Sequence, residues 1–322
     1  MLLTDSPVFA VGMMIAGLAA GTGFYYCRLR KENLPGIAAL WAALFGSVLV
    51  LPCAKIGYLL HDLFANLFDG YFDEVLSVRP EHLSFIGGCL GFLCGVLIAA
   101  KISGIRTAKA LDLFAAPGCL FLFLARIAEG GMDTIGTSGV LENPWLNFFP
   151  LTMQNSWGDA YLSVYVLEAL TALCCMAFAL RQQGKENRPG LVFEKTAICL
   201  LGAQIGWEML LQYPYVRSFY FSFVSLEQVL CAVLFLILVI RGCVKNKKWW
   251  PVPVMLALLG CSAFFQFLRD NKIEFIFNEG WEWLAENVWA ISNGAFVLIS
   301  AGLIAVGLCA MRSGSGGKTG KM

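Results

Sequence analysis

The chain has 322 residues, 58% of them hydrophobic and only 14% charged, with a formal net charge of +1. That composition excludes a soluble globular domain, which needs more charge to stay dispersed, and makes a bilayer the natural solvent. Near-neutral charge, with no basic run interleaved with aromatics, excludes a nucleic-acid partner.

Nine apolar stretches approach the length needed to cross about 30 Å of hydrocarbon. The first, 8–27, follows a start without a positive region. The first cation is Arg28, so the stretch reads as a retained transmembrane helix rather than a cleaved leader. The others fall at 36–60, 83–100, 108–127, 161–180, 194–212, 221–240, 251–268 and 289–310. Between them, 62–82 and 128–160 are long enough for short interfacial helices or a small cap. Segment 269–288 mixes Phe275, Phe277, Trp281 and Trp283 with Glu274, Glu279, Glu282 and Glu286, and reads as lying along the membrane surface. The tail SGSGGKTGK is a flexible end. No internal repeat is visible, so an inverted-repeat transporter, the third reading for this chain, gains no support.

The loops sort by charge. Loops 28–35, 101–109, 181–195 and 241–248 and the tail after Ala310 hold 17 of the 23 Lys and Arg. The alternate loops hold only Arg79, Arg217, Arg269 and Lys272. By the positive-inside rule this alternation places the N-terminus outside and the C-terminus in the cytoplasm. Trp249, Trp250 and Trp289 fall at the predicted interfaces.

Of the twelve cysteines, none lies in a predicted outer loop, where disulfides form. The Cys174–Cys175 and Cys89/Cys94 pairs lack further ligands at metal spacing, so neither a metal site nor a cofactor is expected.

Ionisable residues within spans are candidate functional groups, because lipid solvates charge badly. Six qualify: Lys55, Asp112, Arg126, Glu168, Glu208 and Glu227. One reading is that they pair to fasten helices, as in Arg126 with Asp112 or Glu129. The other is that Lys55 and Arg126, at similar depth near the outer ends of their helices, grip a phospholipid phosphate.

The residues carry a resemblance. Leu83-Ser84-Phe85-Ile86-Gly87-Gly88-Cys89-Leu90-Gly91 resembles the S-F-H-G-G-x-x-G segment of prolipoprotein diacylglyceryl transferases. Asp112 followed by Ala115-Ala116-Pro117, then Ala125-Arg126-Ile127, is similar to that family's D-x-x-A-P and G-R-[IL]-G-N-F stretches. Lys55-Ile56-Gly57-Tyr58 resembles its G-R-I-G-Y, and Ser225-Leu226-Glu227-Gln228-Val229-Leu230 its S-x-G-Q-x-L. Glu168, in LEAL, falls on a family Glu of the fifth helix. The resemblance spans residues 8–240 and is densest over 55–126. It implies an all-α integral membrane protein: a seven-helix bundle over 1–240, two additional helices over 241–310, and a flexible cytoplasmic tail over 311–322. It also implies a bacterial plasma membrane, an anionic phosphatidylglycerol-like donor lipid, a prolipoprotein or other acceptor, and transfer of the diacylglyceryl group at the outer face. A membrane partner through the two added helices is a further expectation.

The departures from the family pattern shape the expected site. Ile86 stands where the family has its His, and Glu129 where it has Asn. Ile205 and Met209 replace an Arg and a Glu of the sixth helix, Ser163 and Val164 a Tyr-Glu pair, and Glu227 a Gly. With the imidazole gone, the catalytic candidates are Glu129, Glu208, Glu227 and His82, the last lying just before the third span. The headgroup-binding candidates are Arg126, Lys55 and Asp112. An altered acceptor is expected, because Ile86 cannot take a proton from a thiol. A lipid-binding or scaffold subunit without chemistry is the alternative.

The orientation is testable by labelling. A cysteine introduced at Asn246 is expected to resist an impermeant thiol reagent in intact cells, and one at Asn143 to react, each read against the native cysteines. The reverse pattern would overturn the orientation.

Overall fold

A computed structural model describes residues 7–61, 83–129, 137–140, 148, 151–154, 160–185, 188–211, 224–270 and 282–312. Nine helices are described: α1 Pro7–Lys31, α2 Ile37–His61, α3 Phe85–Ile102, α4 Thr107–Glu129, α5 Val164–Gln182, α6 Leu191–Leu210, α7 Leu226–Asn246, α8 Pro251–Asp270 and α9 Glu282–Met311. Eight are long and apolar enough to cross a membrane. The exception, α6, carries Glu194, Lys195 and Glu208. It is the most enclosed helix, packed against α4, α5, α7 and α9, so protein rather than lipid surrounds its charges.

All nine predicted spans fall on helices, giving the expected all-α membrane bundle. The segment after α4 differs from a purely helical cap. It contributes β1 Thr137–Val140, β2 Thr152–Gln154 and β3 Ala160–Ser163, an antiparallel sheet of order β1-β3-β2. Strand β3 runs directly into α5, so the helix begins at Val164 rather than at 161. Strands of three or four residues are too short to leave a readable alternation of polarity.

Helix ends are fixed locally. Ser84 caps α3 by accepting from the Gly87 amide. Ser225 and Gln228 form a reciprocal capping box at the start of α7. At the opposite end of the bundle, Asp112 of α4 accepts from the Gly190 and Phe193 amides at 2.6 and 2.9 Å, satisfying donors at the start of α6. Glu194 in the next turn is buried against Arg241 and Lys245 of α7, each at 3.0 Å.

The α2–α3 contact is the closest in the bundle. Gly87, Gly91 and Gly95 recur every fourth residue and face the α2 backbone at Cys53, Leu49 and Gly46 respectively. Such a stripe of small residues lets transmembrane helices approach at van der Waals distance, where packing rather than the hydrophobic effect drives association. A Cβ on Gly91 would meet the Leu49 carbonyl oxygen, whereas one on Gly88 has its nearest neighbour 3.6 Å away. Gly91→Ala is therefore expected to destabilise the protein by about 1–3 kcal/mol, while Gly88→Ala is neutral within about 0.5 kcal/mol. Thermal unfolding of the two variants in detergent checks this; equal melting temperatures would show that α2 yields freely.

Candidate functional site

Five helices bring their polar ends to one end of the bundle. Arg126 lies in the last turn of α4, buried to 7% exposure. Its Nη1 contacts Glu129 Oε1 and Oε2 at 2.7 and 2.9 Å and Glu168 Oε2, from α5, at 3.2 Å. The guanidinium carbon sits 3.5 Å from the ring centroid of Phe85, at the start of α3. Its Nη2 is buried and has no hydrogen-bond partner.

Hydrogen bonds extend this pair into a chain. Gln204 of α6 donates through Nε2 to Glu168 Oε1 at 2.6 Å and to Glu208 Oε1 at 3.0 Å. Ser225 Oγ donates to Glu208 Oε2 at 3.3 Å. Gln228, the other half of the α7 capping box, donates to Gln266 of α8 at 2.9 Å. Arg269, one turn further along α8, donates to the Met209 carbonyl at the end of α6 and lies against Phe296 of α9. Glu227 accepts from the Ile86 amide at 3.1 Å, a donor that the first turn of α3 leaves without a helical partner. The Glu227 carboxylate thus lies against the Ile86 backbone.

Beneath this polar end, α3, α4, α5, α6 and α7 line a cavity of about 310 Å³. Its walls are almost entirely hydrocarbon, including Phe92, Phe114, Phe121, Leu200 and Leu238. Arg126, Glu168 and Gln204 are among the few polar groups that reach it. An apolar slot ending in a cation with an open donor is the form expected for an acyl chain attached to an anionic head.

The predicted site residues divide. Arg126, Glu129, Glu208 and Glu227 are brought to one end, linked directly or through Glu168, Gln204 and the α3 terminus. Asp112 is not among them. It lies 14 residues before Arg126 on α4, about 21 Å along the axis at about 1.5 Å per residue, and its carboxylate serves the start of α6. Of the two partners expected for Arg126, Glu129 pairs with it and Asp112 does not; Glu168 joins as a further partner. Lys55 is on α2 with Nζ 4.7 Å from the Tyr58 ring centroid, and does not line the cavity. His82 lies outside the described residues. Glu168 is the main addition: it stood out as an intramembrane acid, but nothing in its spacing tied it to Arg126. Gln204, Ser225, Gln228 and Gln266 carry no charge and so give no comparable signal; only the four-residue step from Gln204 to Glu208 hints at a shared face.

Asp112→Ala is expected to lower stability by roughly 1–2 kcal/mol, the typical cost of losing a helix cap. The same variant should retain as much phospholipid per protein as the native chain. Loss of lipid without loss of stability would return Asp112 to the binding site.

Two comparisons with known proteins place the chain by its sequence. The model of a family described as prolipoprotein diacylglyceryl transferase matches residues 8–244, ending before α8. The phosphatidylglycerol–prolipoprotein diacylglyceryl transferase of Nitrobacter hamburgensis is 27% identical over 192 residues, 55% of this chain and 63% of that relative. That of Nitrobacter winogradskyi is 26% identical over the same length and the same shares. The chain thus spans about 63% of the length of the curated relatives it matches.

Proposed function

The chain belongs to the prolipoprotein diacylglyceryl transferase family, and from that premise we propose that it moves the diacylglyceryl group of a membrane phospholipid to an acceptor at the outer face. The carrying observation is the buried Nη2 of Arg126, without a partner, at the head of an apolar cavity. A guanidinium confined among protein groups forms all the hydrogen bonds it can, so an open donor there suits a ligand anion. A scaffold reading expects these charges to be fully paired, which Nη2 is not.

The outer placement is supported by charge. The polar end of the bundle is reached from 62–82, 130–159, 212–225 and 271–281, whereas the opposite loops hold most of the cations. In the family reaction as the relatives' names describe it, phosphatidylglycerol is the donor and prolipoprotein the acceptor. A thiol sulfur bonds to the glycerol carbon, the bond from that carbon to the phosphate oxygen breaks, and the phosphate leaves as a monoester. The thiol proton must pass to a base.

Here the base is the point of departure. Ile86 offers no proton acceptor, and the polar groups around Arg126 are carboxylates, whose ordinary proton affinity is far below that of a thiolate. The bundle therefore keeps the donor half of the family's site, a phosphate held by Arg126, and changes the half that activates the acceptor. Glu208 and Glu227 are the carboxylates best placed to serve an altered acceptor, Glu227 because it already touches the Ile86 backbone.

Arg126→Ala is expected to reduce phospholipid co-purifying with the folded protein about tenfold or more, since a charge-assisted contact contributes roughly 1.5–3 kcal/mol. Unchanged lipid content would make Arg126 a structural ion-pair partner only. The acceptor is tested with purified protein, phosphatidylglycerol and a lipobox peptide, read by mass spectrometry. No diacylglyceryl thioether is expected. Its appearance, with loss in Glu227→Gln or Glu208→Gln, would show that carboxylates have taken over the family's own reaction.

A further inference from the structure

We infer that the cavity takes one acyl chain of a phospholipid, not two, and that the rings of Phe114 and Phe193 at its far end limit the length of that chain. The inference rests on the reading that Arg126 holds the lipid phosphate.

Depth follows from the lining. Arg126 and Phe114 both line the cavity from α4 and stand 12 residues apart, about 18 Å at about 1.5 Å per residue. Gln204 and Phe193 on α6, 11 residues apart, give about 16–17 Å. Half of a hydrocarbon core of about 30 Å is about 15 Å. A chain whose head sits at Arg126 therefore runs the depth of one leaflet before it meets the far end.

Volume sets the number of chains. A cavity of about 150 Å³ takes a six-carbon ring, so one of about 310 Å³ takes roughly a dozen carbon atoms. That is one chain of a membrane lipid. The second stays outside, and the α7 side has a wall for it to lie against: Ile237 lines the cavity and is 55% exposed. The hydroxyls along the slot are engaged by protein. Thr196 donates to the Val192 carbonyl at 2.8 Å and Thr171 to the Leu167 carbonyl at 2.9 Å, while Trp207 donates to Thr171 at 3.0 Å. Below Arg126, Glu168 and Gln204 the walls therefore suit hydrocarbon.

The far end is held firmly. Phe114 stacks on Phe92, with 5.8 Å between centroids, and meets Tyr25 edge-on at 5.5 Å; Tyr25 in turn donates to the Ala110 carbonyl. Phe193 is held through its amide, which donates to Asp112 Oδ1 at 2.9 Å. A chain too long for the slot has to displace a stacked ring or pull the start of α6 off Asp112, and packed interiors resist added carbons. A chain too short leaves the end empty, and the lining there loses its contacts.

The test offers the full chain in detergent a mixture of phosphatidylglycerols that differ in acyl length alone: dilauroyl, dipalmitoyl and dibehenoyl. Bound lipid is read by native mass spectrometry. The native chain should prefer dipalmitoyl to dibehenoyl about tenfold, the cost of overpacking expressed as a ratio. Ala197→Phe fills the cavity one turn before the Phe193 end and should move the preference to dilauroyl. Phe193→Ala removes part of that end and should bring dibehenoyl level with dipalmitoyl. Palmitoyl lysophosphatidylglycerol, with a single chain, should bind within about threefold of the dipalmitoyl lipid. Equal binding of all three lengths by the native chain, or the native preference in folded Ala197→Phe, would overturn the length limit while leaving the reading of Arg126 intact. A lyso lipid bound more weakly than that would put the second chain inside and overturn the single-chain count. Binding of no phosphatidylglycerol would overturn both the inference and the reading it rests on. Should Ala197→Phe not fold, the native preference and Phe193→Ala decide.

Discussion

A guanidinium enclosed by helices has to be neutralised by the protein, because the surrounding hydrocarbon cannot do it. Arg126 imposes that requirement on five elements at once. Glu129 answers from its own helix, Glu168 from α5, and Phe85 from α3 through its ring face. Each acid recruited in this way needs donors of its own, which draws in Gln204 from α6 and, through Glu208, Ser225 at the start of α7. The polar end of the bundle is therefore one connected network, and the position of every member follows from satisfying a charge or a lone pair placed by the one before. Within this network Nη1 is held by two acids and the guanidinium face by Phe85, while the buried Nη2 has no hydrogen-bond partner.

The two helices beyond the family match are joined to the same network. Gln266 accepts from Gln228, which holds the capping box that positions Ser225 against Glu208. Arg269 lies in α8 and not in a loop, and it meets a carbonyl at the C-terminal end of α6, where a cation opposes the negative end of the helix dipole. On the other side, Gly202, Gly206 and Gly307 allow α6 and α9 to approach closely, so that a side chain at any of them would collide with Ile304, Ser300 or Ile198. The C-terminal end of α6 is thus braced by an arginine from α8, a helix that lies beyond the family match.

Much of the fold was legible because hydropathy is a one-dimensional signal. The stretch 83–100 became Phe85–Ile102, 108–127 became Thr107–Glu129, and 251–268 became Pro251–Asp270. The start of α9 was placed late, at 289 instead of Glu282, because Glu282 and Glu286 interrupt the apolar run that marks a span. The short strands and the neutral hydrogen-bonding residues were not legible, for the same reason: neither carries charge or a long period. Arg126, Glu208 and Glu227 announced themselves as ions inside apolar segments, yet so did Asp112, and charge alone does not give depth. What separates them is position along the helix. Arg126 is in the last turn of α4, and Asp112 is near its first, beside the start of α6.

That separation also sets how the buried acids at each end are compensated. Near Asp112, the positive ends of α6 and the cations Arg241 and Lys245 supply compensation for Asp112 and Glu194 from within the protein. Around Arg126 the acids draw on different partners: Glu227 has the α3 terminus, Glu129 and Glu168 share the Arg126 guanidinium, and Glu208 accepts from the neutral donors Gln204 and Ser225. Because Glu227 accepts from the Ile86 amide, the acids of this end and the residue at position 86 meet in one hydrogen bond, and a change at either is felt by the other.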